Sequence, residues 1–175
     1  MLINLSDVFN TSGKISTLET CPEIASYDSG FGEFPVTSSE KFVLKFQNLE
    51  KGKIKISGNV KLSFEGQCDR CLKSTPVNLD IQIDREVASP DYEAGEEEEE
   101  LFDYMEGYSL DTEALLQGEI TVNWPVKILC REDCKGLCPV CGHDLNEGDC
   151  GCDTFVPDPR MAAIFDKLKD STKEV

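Results

Sequence analysis

The sequence predicts an α+β fold: an antiparallel β-sheet meander with one or two helices and a C-terminal, zinc-ribbon-like cysteine segment. Three observations predict it. Apolar and polar residues alternate in successive runs between 41 and 88. A capped helical segment opens at Asp111. Six cysteines crowd into the stretch from Cys130 to Cys152.

Ile3 and Leu5 alternate with polar neighbours and fit a short first strand. Ile15 and Leu18 show no clear period, and Gly30, Gly32 and Pro35 read as loop. The meander follows. Phe42, Leu44 and Phe46 alternate; Ile54, Ile56, Val60, Leu62 and Phe64 hold even positions; Val77, Leu79, Ile81, Ile83 and Val87 hold odd ones. A two-residue period gives each run one buried and one solvated face. Glu50-Lys51-Gly52-Lys53 turns the first run into the second, and Gly66 to Pro76 joins the second to the third.

Residues 89–110 break the pattern. They include Glu96 to Glu100, a run of like charges that resists ordering, so a mobile acidic loop is expected. Asp111 then suits a helix N-cap and Glu113 the positive end of its dipole. Leu110 and Leu115 occupy the two positions of a hydrophobic staple. Leu115, Leu116 and Ile120 form the apolar face, and the helix should end before Pro125. In the tail, Asp158 and Pro159 open a second helix with Met161, Ile164, Phe165 and Leu168 as its stripe. The expected organisation is a sheet domain over 1–88, the acidic loop over 89–110, and residues 111–175 supplying helix, cysteine segment and a C-terminal helix packed on the sheet domain.

Composition narrows the function. Lys and Arg number 17 against 34 Asp and Glu, a net charge of −17 in 175 residues. Such a surface repels nucleic-acid phosphates and disfavours a broad RNA-binding face. No apolar run approaches the ~20 residues that span a bilayer, so no membrane partner is expected. The N-terminus resembles no secretory signal, and a cytoplasmic location is expected. No GxxxxGK[ST] or GxGxxG occurs, so no nucleotide cofactor is expected. His143 is the only histidine, which removes a Ser-His-Asp arrangement, and the chain reads as non-enzymatic.

Nine cysteines in a reducing compartment point to metal ligands rather than disulfides. Cys138-Pro139-Val140-Cys141-Gly142 has the form of a zinc knuckle, in which two thiolates reach one ion. Zinc takes four such ligands, and its binding free energy lets a small segment fold. The first choice of ligands is Cys138, Cys141, Cys150 and Cys152. The rival is Cys130, Cys134, Cys138 and Cys141. An iron–sulfur cluster would use the same thiolates. Either set leaves no open coordination position, so the metal would be structural. Cys68-Asp69-Arg70-Cys71 sits at a hairpin tip. It fits a second metal site completed by Cys130 and Cys134, a redox pair, or a reduced pair in a turn. Cys21 stands alone as a packed or incidental residue, and His143 reads as a loop residue in preference to a spare ligand.

The run Leu129-Cys130, Cys134-Lys135-Gly136-Leu137-Cys138-Pro139, Cys141-Gly142, Asp144-Leu145-Asn146 and Cys150, Cys152 resembles the YceD family of large-subunit ribosomal RNA accumulation proteins. Asp158-Pro159-Arg160 and the earlier Cys68, Arg70, Cys71 and Leu72 fit the same family. The resemblance implies a role in the accumulation of 23S ribosomal RNA, in bacteria or chloroplasts. Taken with the charge, it implies a partner among basic large-subunit ribosomal proteins or assembly factors, with ribosomal RNA reached indirectly. Arg70, Lys135 and Arg160 are candidate contacts. One alternative is direct RNA binding through Lys127, Arg131, Lys135 and Arg160. Another is a redox or metal-handling protein using Cys68 and Cys71.

Overall fold

The three alternating runs form three consecutive strands of one antiparallel sheet. The computed structural model describes residues 1–30, 32–50, 52–92 and 104–153. Strand β1 (Leu2–Asn4) is followed by the one-turn helix α1 (Ser6–Phe9) and strands β2 (Ile15–Thr20), β3 (Ser26–Asp28) and β4 (Glu33–Ser39). Strands β5 (Phe42–Glu50), β6 (Lys53–Gln67) and β7 (Ser74–Ala88) are the expected meander. The short strands β8 (Met105–Glu106) and β9 (Ser109–Asp111) lead into helix α2 (Thr112–Asn123).

Strand β6 organises the main sheet. It pairs with β7 in unbroken register from Lys53↔Ala88 to Gln67↔Ser74. Along its other edge it pairs first with β5 and then with β4. The strand order is β2-β5-β6-β4-β3, with β7 beside β6. The even residues of β6 and the odd residues of β7 face inward. Ile54, Ile56, Val60, Leu62, Phe64, Ile81 and Ile83 are all buried. Burying each such side chain contributes roughly 1.5–3 kcal/mol. Leu115, Leu116 and Ile120 of α2 complete this core, as their helical spacing requires.

Helix α2 begins where its cap requires. The Asp111 carboxylate accepts hydrogen bonds from the amides of Glu113 (2.9 Å) and Ala114 (3.4 Å). Leu110 and Leu115, the staple pair, are both buried. The helix stops at Trp124, whose extended backbone satisfies the restriction imposed by Pro125. The Trp124 ring centroid lies 4.7 Å from those of Tyr27 and Phe34 and 5.2 Å from that of Phe64. Glu119 on α2 is 4% exposed and accepts a 2.5 Å hydrogen bond from Arg85 on β7.

Several local expectations are corrected. Residues 15–20 form β2, whose register against β5 supplies what its own weak period lacks. Pro35 lies inside β4, not in a loop; β4 pairs with β3 through Ser26↔Pro35. The connection after β6 is shorter than Gly66–Pro76, because ladder pairing continues to Gln67↔Ser74. Residues 105–106 and 109–110, expected within the acidic loop, lie in β8 and β9, which pair with each other while β9 also pairs with β1. The glutamates 96–100 and the C-terminal helix from Asp158 lie outside the described residues.

Contacts divide the chain into two units. The first comprises Met1–Cys68 and Lys73–Cys130 and contains the sheet and α2. The second comprises Asp69–Leu72 and the chain from Arg131 onward, and contains the Cys138–Cys141 turn described next.

Candidate metal centre

Two CxxC turns are built alike. In the first, the Cys68 amide donates to the Lys73 carbonyl at 2.9 Å. In the second, the Cys138 amide donates to the His143 carbonyl at 2.8 Å. Both bonds link a cysteine to the residue five positions on. The flanking pair also corresponds: Gln67↔Ser74 in one and Leu137↔Asp144 in the other. The residue after each second cysteine is left-handed, Leu72 with φ 60° and Gly142 with φ 74°. In the second turn the amides of Val140 and Cys141 are directed at the Cys138 sulfur.

The later cysteines complete each turn into a group of four. Cys138, Cys141, Cys150 and Cys152 bring their sulfurs within 4.8 Å of one another. So do Cys68, Cys71, Cys130 and Cys134. A tetrahedral ion with ~2.3 Å metal–sulfur bonds requires sulfurs about 3.8 Å apart. Both donor sets therefore fit a four-thiolate metal ion after sub-ångström adjustment. The structure thus gathers the first-choice set and separately places Cys130 and Cys134 with Cys68 and Cys71. Each group of four thiolates could hold a metal ion. Cys21 is exposed and belongs to neither, and neither group includes His143.

Electrostatics within the second group single out Cys138 as the anionic sulfur. The amides of Cys141 and Val140 point at the Cys138 sulfur and lower its pKa from 9.0 to about 6. Cys152 is pushed up to about 12, first by its hydrogen bond to Cys141 and then by that to Cys150. Cys150 is pulled down by the Cys152 amide, but its hydrogen bond to Cys138 and desolvation outweigh this, and its pKa is raised. In the metal-free protein the group therefore shares its protons unequally, and Cys138 is the sulfur that gives up its proton first.

The connecting chain is held from both ends. The Leu137 amide donates to the Arg70 carbonyl at 3.0 Å, and Arg70 donates to the Cys134 carbonyl at 2.7 Å. Gly136 has φ 81°, and a Cβ there would lie 2.9 Å from the Arg70 carbonyl oxygen. Only glycine fits this conformation and this approach. On the other side the Leu145 amide donates to the Gly136 carbonyl at 2.9 Å. Arg131 donates to Asn146 at 2.7 Å and pairs with Asp133 at 3.3 Å. Arg70 and Arg131, expected as contacts for partner or RNA, thus also brace the cysteine loops. Arg160 lies outside the described residues.

Sequence reasoning gave Asn146 no role beyond its place in the family resemblance. Its carboxamide oxygen accepts from the Lys135 amide at 2.8 Å, and its nitrogen reaches the Asp144 carboxylate at 2.7 Å and the Cys134 sulfur at 3.5 Å. The Asp144-Leu145-Asn146 spacing was the available signal, since Asx residues hydrogen-bond the backbone two positions on.

Residues 56–170 match the family described as large ribosomal RNA subunit accumulation protein YceD. Uncharacterized proteins of Mycobacterium bovis and Mycobacterium tuberculosis are each 28% identical over 127 residues, covering 71% of this chain and 60% of theirs. An uncharacterized protein of Mycobacterium leprae is 27% identical over 92 residues, 51% of this chain and 42% of its own. The chain thus spans 60% or less of the length of these relatives. No solved structure matches. Among the described residues no helix is long and apolar enough to cross a membrane. The match over most of the chain, including both cysteine groups, shows that this protein belongs to the YceD family of large ribosomal RNA subunit accumulation proteins.

Proposed function

We propose that the protein is a non-enzymatic cytoplasmic factor in large ribosomal subunit biogenesis, supporting 23S ribosomal RNA accumulation by binding a basic ribosomal or assembly protein. The family match carries the process. The net charge of −17 supports the choice of partner, because it attracts basic proteins and repels phosphate. Zinc is the proposed metal at both cysteine groups, where four thiolates give a closed structural site. It would stabilise the cysteine loops and present Arg70 and Lys135 in a fixed setting.

Direct RNA binding is less well supported. Arg70 and Arg131 spend hydrogen-bonding capacity on Cys134 and Asn146, which thins an already sparse basic patch. A redox role for Cys68 and Cys71 is less well supported for a similar reason, since they gather with Cys130 and Cys134 as a set of four.

Sedimentation of the native protein through sucrose gradients, at low and moderate salt, tests the reading. Co-migration with large-subunit precursors and absence from mature ribosomes is the expected result. Crosslinking should then capture a basic protein. Tight binding of purified protein to ribosomal RNA, with no affinity for any ribosomal protein, would overturn the proposed mechanism.

A further inference from the structure

We propose that the two four-thiolate groups load metal cooperatively, with Asn146 as the positioning residue that couples them. The inference rests on the reading that both groups bind metal.

Cys134 belongs to one group and Cys138 to the other, and they stand at the two ends of Cys134-Lys135-Gly136-Leu137-Cys138. That short bridge is fixed by Arg70 on one side and by Leu145 and Asn146 on the other. All these contacts are internal to the second unit.

Asn146 lies between Cys141 and Cys150, in the loop that a metal at the second group would close. Its side chain nevertheless serves the first group. Its oxygen accepts from the Lys135 amide and from Arg131, at 2.8 and 2.7 Å. Its nitrogen donates to the Asp144 carboxylate at 2.7 Å and to the Cys134 sulfur at 3.5 Å. Two lone pairs and two N–H groups are the whole capacity of a carboxamide, so the side chain is locked in one orientation. Asp144 is in turn tied to the second knuckle through its bridge with Leu137.

The coupling follows from this geometry. Metal at Cys138, Cys141, Cys150 and Cys152 orders the loop carrying Asn146. An ordered Asn146 holds Cys134 in place and donates to its thiolate, which lowers the cost of assembling the first group. Hydrogen bonds of this kind to metal ligands typically alter affinity by roughly 10- to 100-fold. By linkage the effect is reciprocal, so metal at the first group must raise affinity at the second by the same factor.

The test is a cobalt(II) titration of the full chain, followed by thiolate-to-metal charge-transfer absorbance. Cys141→Ser with Cys152→Ser disables the second group and should weaken cobalt at the first by about tenfold. Asn146→Ala in the otherwise native chain should give a similar loss, but little further loss when added to the double serine variant. Asn146→Asp keeps the acceptor for Lys135 and Arg131 but turns a negative charge toward the Asp144 carboxylate and the Cys134 sulfur, so it should lose at least as much affinity at the first group as Asn146→Ala. Unchanged affinity at the first group in the serine variant, or fully additive effects, would overturn the coupling while leaving two metal sites standing. Absence of any charge-transfer band in the native chain would instead remove the metal reading and the coupling with it.

Discussion

Leu72 stands in its knuckle where Gly142 stands in the other, with φ of 60° and 74°. The same left-handed step is made once by a residue that disfavours it and once by the residue that prefers it. A branched or bulky side chain there costs about 1–2 kcal/mol. Gly142→Leu should therefore destabilise the protein by about that amount. Leu72→Gly should shift stability by less than about 1 kcal/mol, because relief of strain is offset by the greater freedom of glycine in the unfolded chain. Leu72 is 60% exposed, so little burial is lost. Thermal unfolding of the two metal-loaded variants checks the asymmetry.

Metal removal should affect the cysteine loops far more than the sheet. Residues 131–153 contain turns and an isolated bridge, whereas β6 and β7 share a continuous ladder above a buried core. A strong chelator should accelerate amide exchange across 131–153 and leave the amides of β6 and β7 protected. Elemental analysis of the native protein should return two zinc ions per chain, falling to one in Cys138→Ser.

Proton competition should be uneven across the second group. Metal binding requires thiolates. Cys138, lowered to about 6, is already ionised at neutral pH and has no proton for the metal to displace. Cys152, raised to about 12, keeps its proton and must release it. Affinity therefore rises with pH through the neutral range on account of Cys152 and Cys150, both raised, and falls more steeply below about pH 6, where Cys138 is protonated as well. In the metal-free protein, thiolate absorbance should show a first step near pH 6 that Cys138→Ser abolishes.

Arg85→Ala should be more damaging than its surface position suggests. It would leave the Glu119 carboxylate buried without the guanidinium that approaches to 2.5 Å. Arg85 is itself 42% exposed, which screens the pair, so the loss should be about 1–3 kcal/mol rather than the larger figure for a fully buried pair. Glu119→Gln, which keeps a neutral acceptor, should cost less. Denaturant unfolding of the single and double variants measures the pair directly, and the two losses should not add.

The meander was legible because Ile54 to Phe64 and Val77 to Val87 each keep one phase, and a phase error would turn every apolar side chain outward. Helix α2 was legible from Asp111, whose cap is a local interaction. Strand β2 was not, because its pairing with β5 is long-range and Ile15 and Leu18 carry too weak a pattern alone. Pro35 misled because β4 tolerates a proline that a sequence window reads as punctuation. At the metal centre the CxxC pairs announced themselves by spacing. The grouping of Cys130 and Cys134 with Cys68 and Cys71 stood among the alternatives read from the sequence, and the meeting of distant segments selects it over the rival set with Cys138 and Cys141. The role of Asn146 toward the first group was hidden because Lys135, Cys134 and Arg131 lie eleven to fifteen positions away.

The unbroken ladder between β6 and β7 has a consequence in time. Every pairing in it is available once residue 88 has been synthesised, and hairpins form within microseconds. Cys68 and Cys71 are then already presented at the tip, while Cys130 and Cys134 are still to be translated. At usual elongation rates that interval lasts roughly 2–8 s. The nascent protein thus passes through a stage with half a coordination shell, in which a thiol pair awaits its partners and is open to oxidation or to a borrowed ligand. Translation order makes Cys138, Cys141, Cys150 and Cys152 the later set, so the first shell gains its last ligand before the second gains its first.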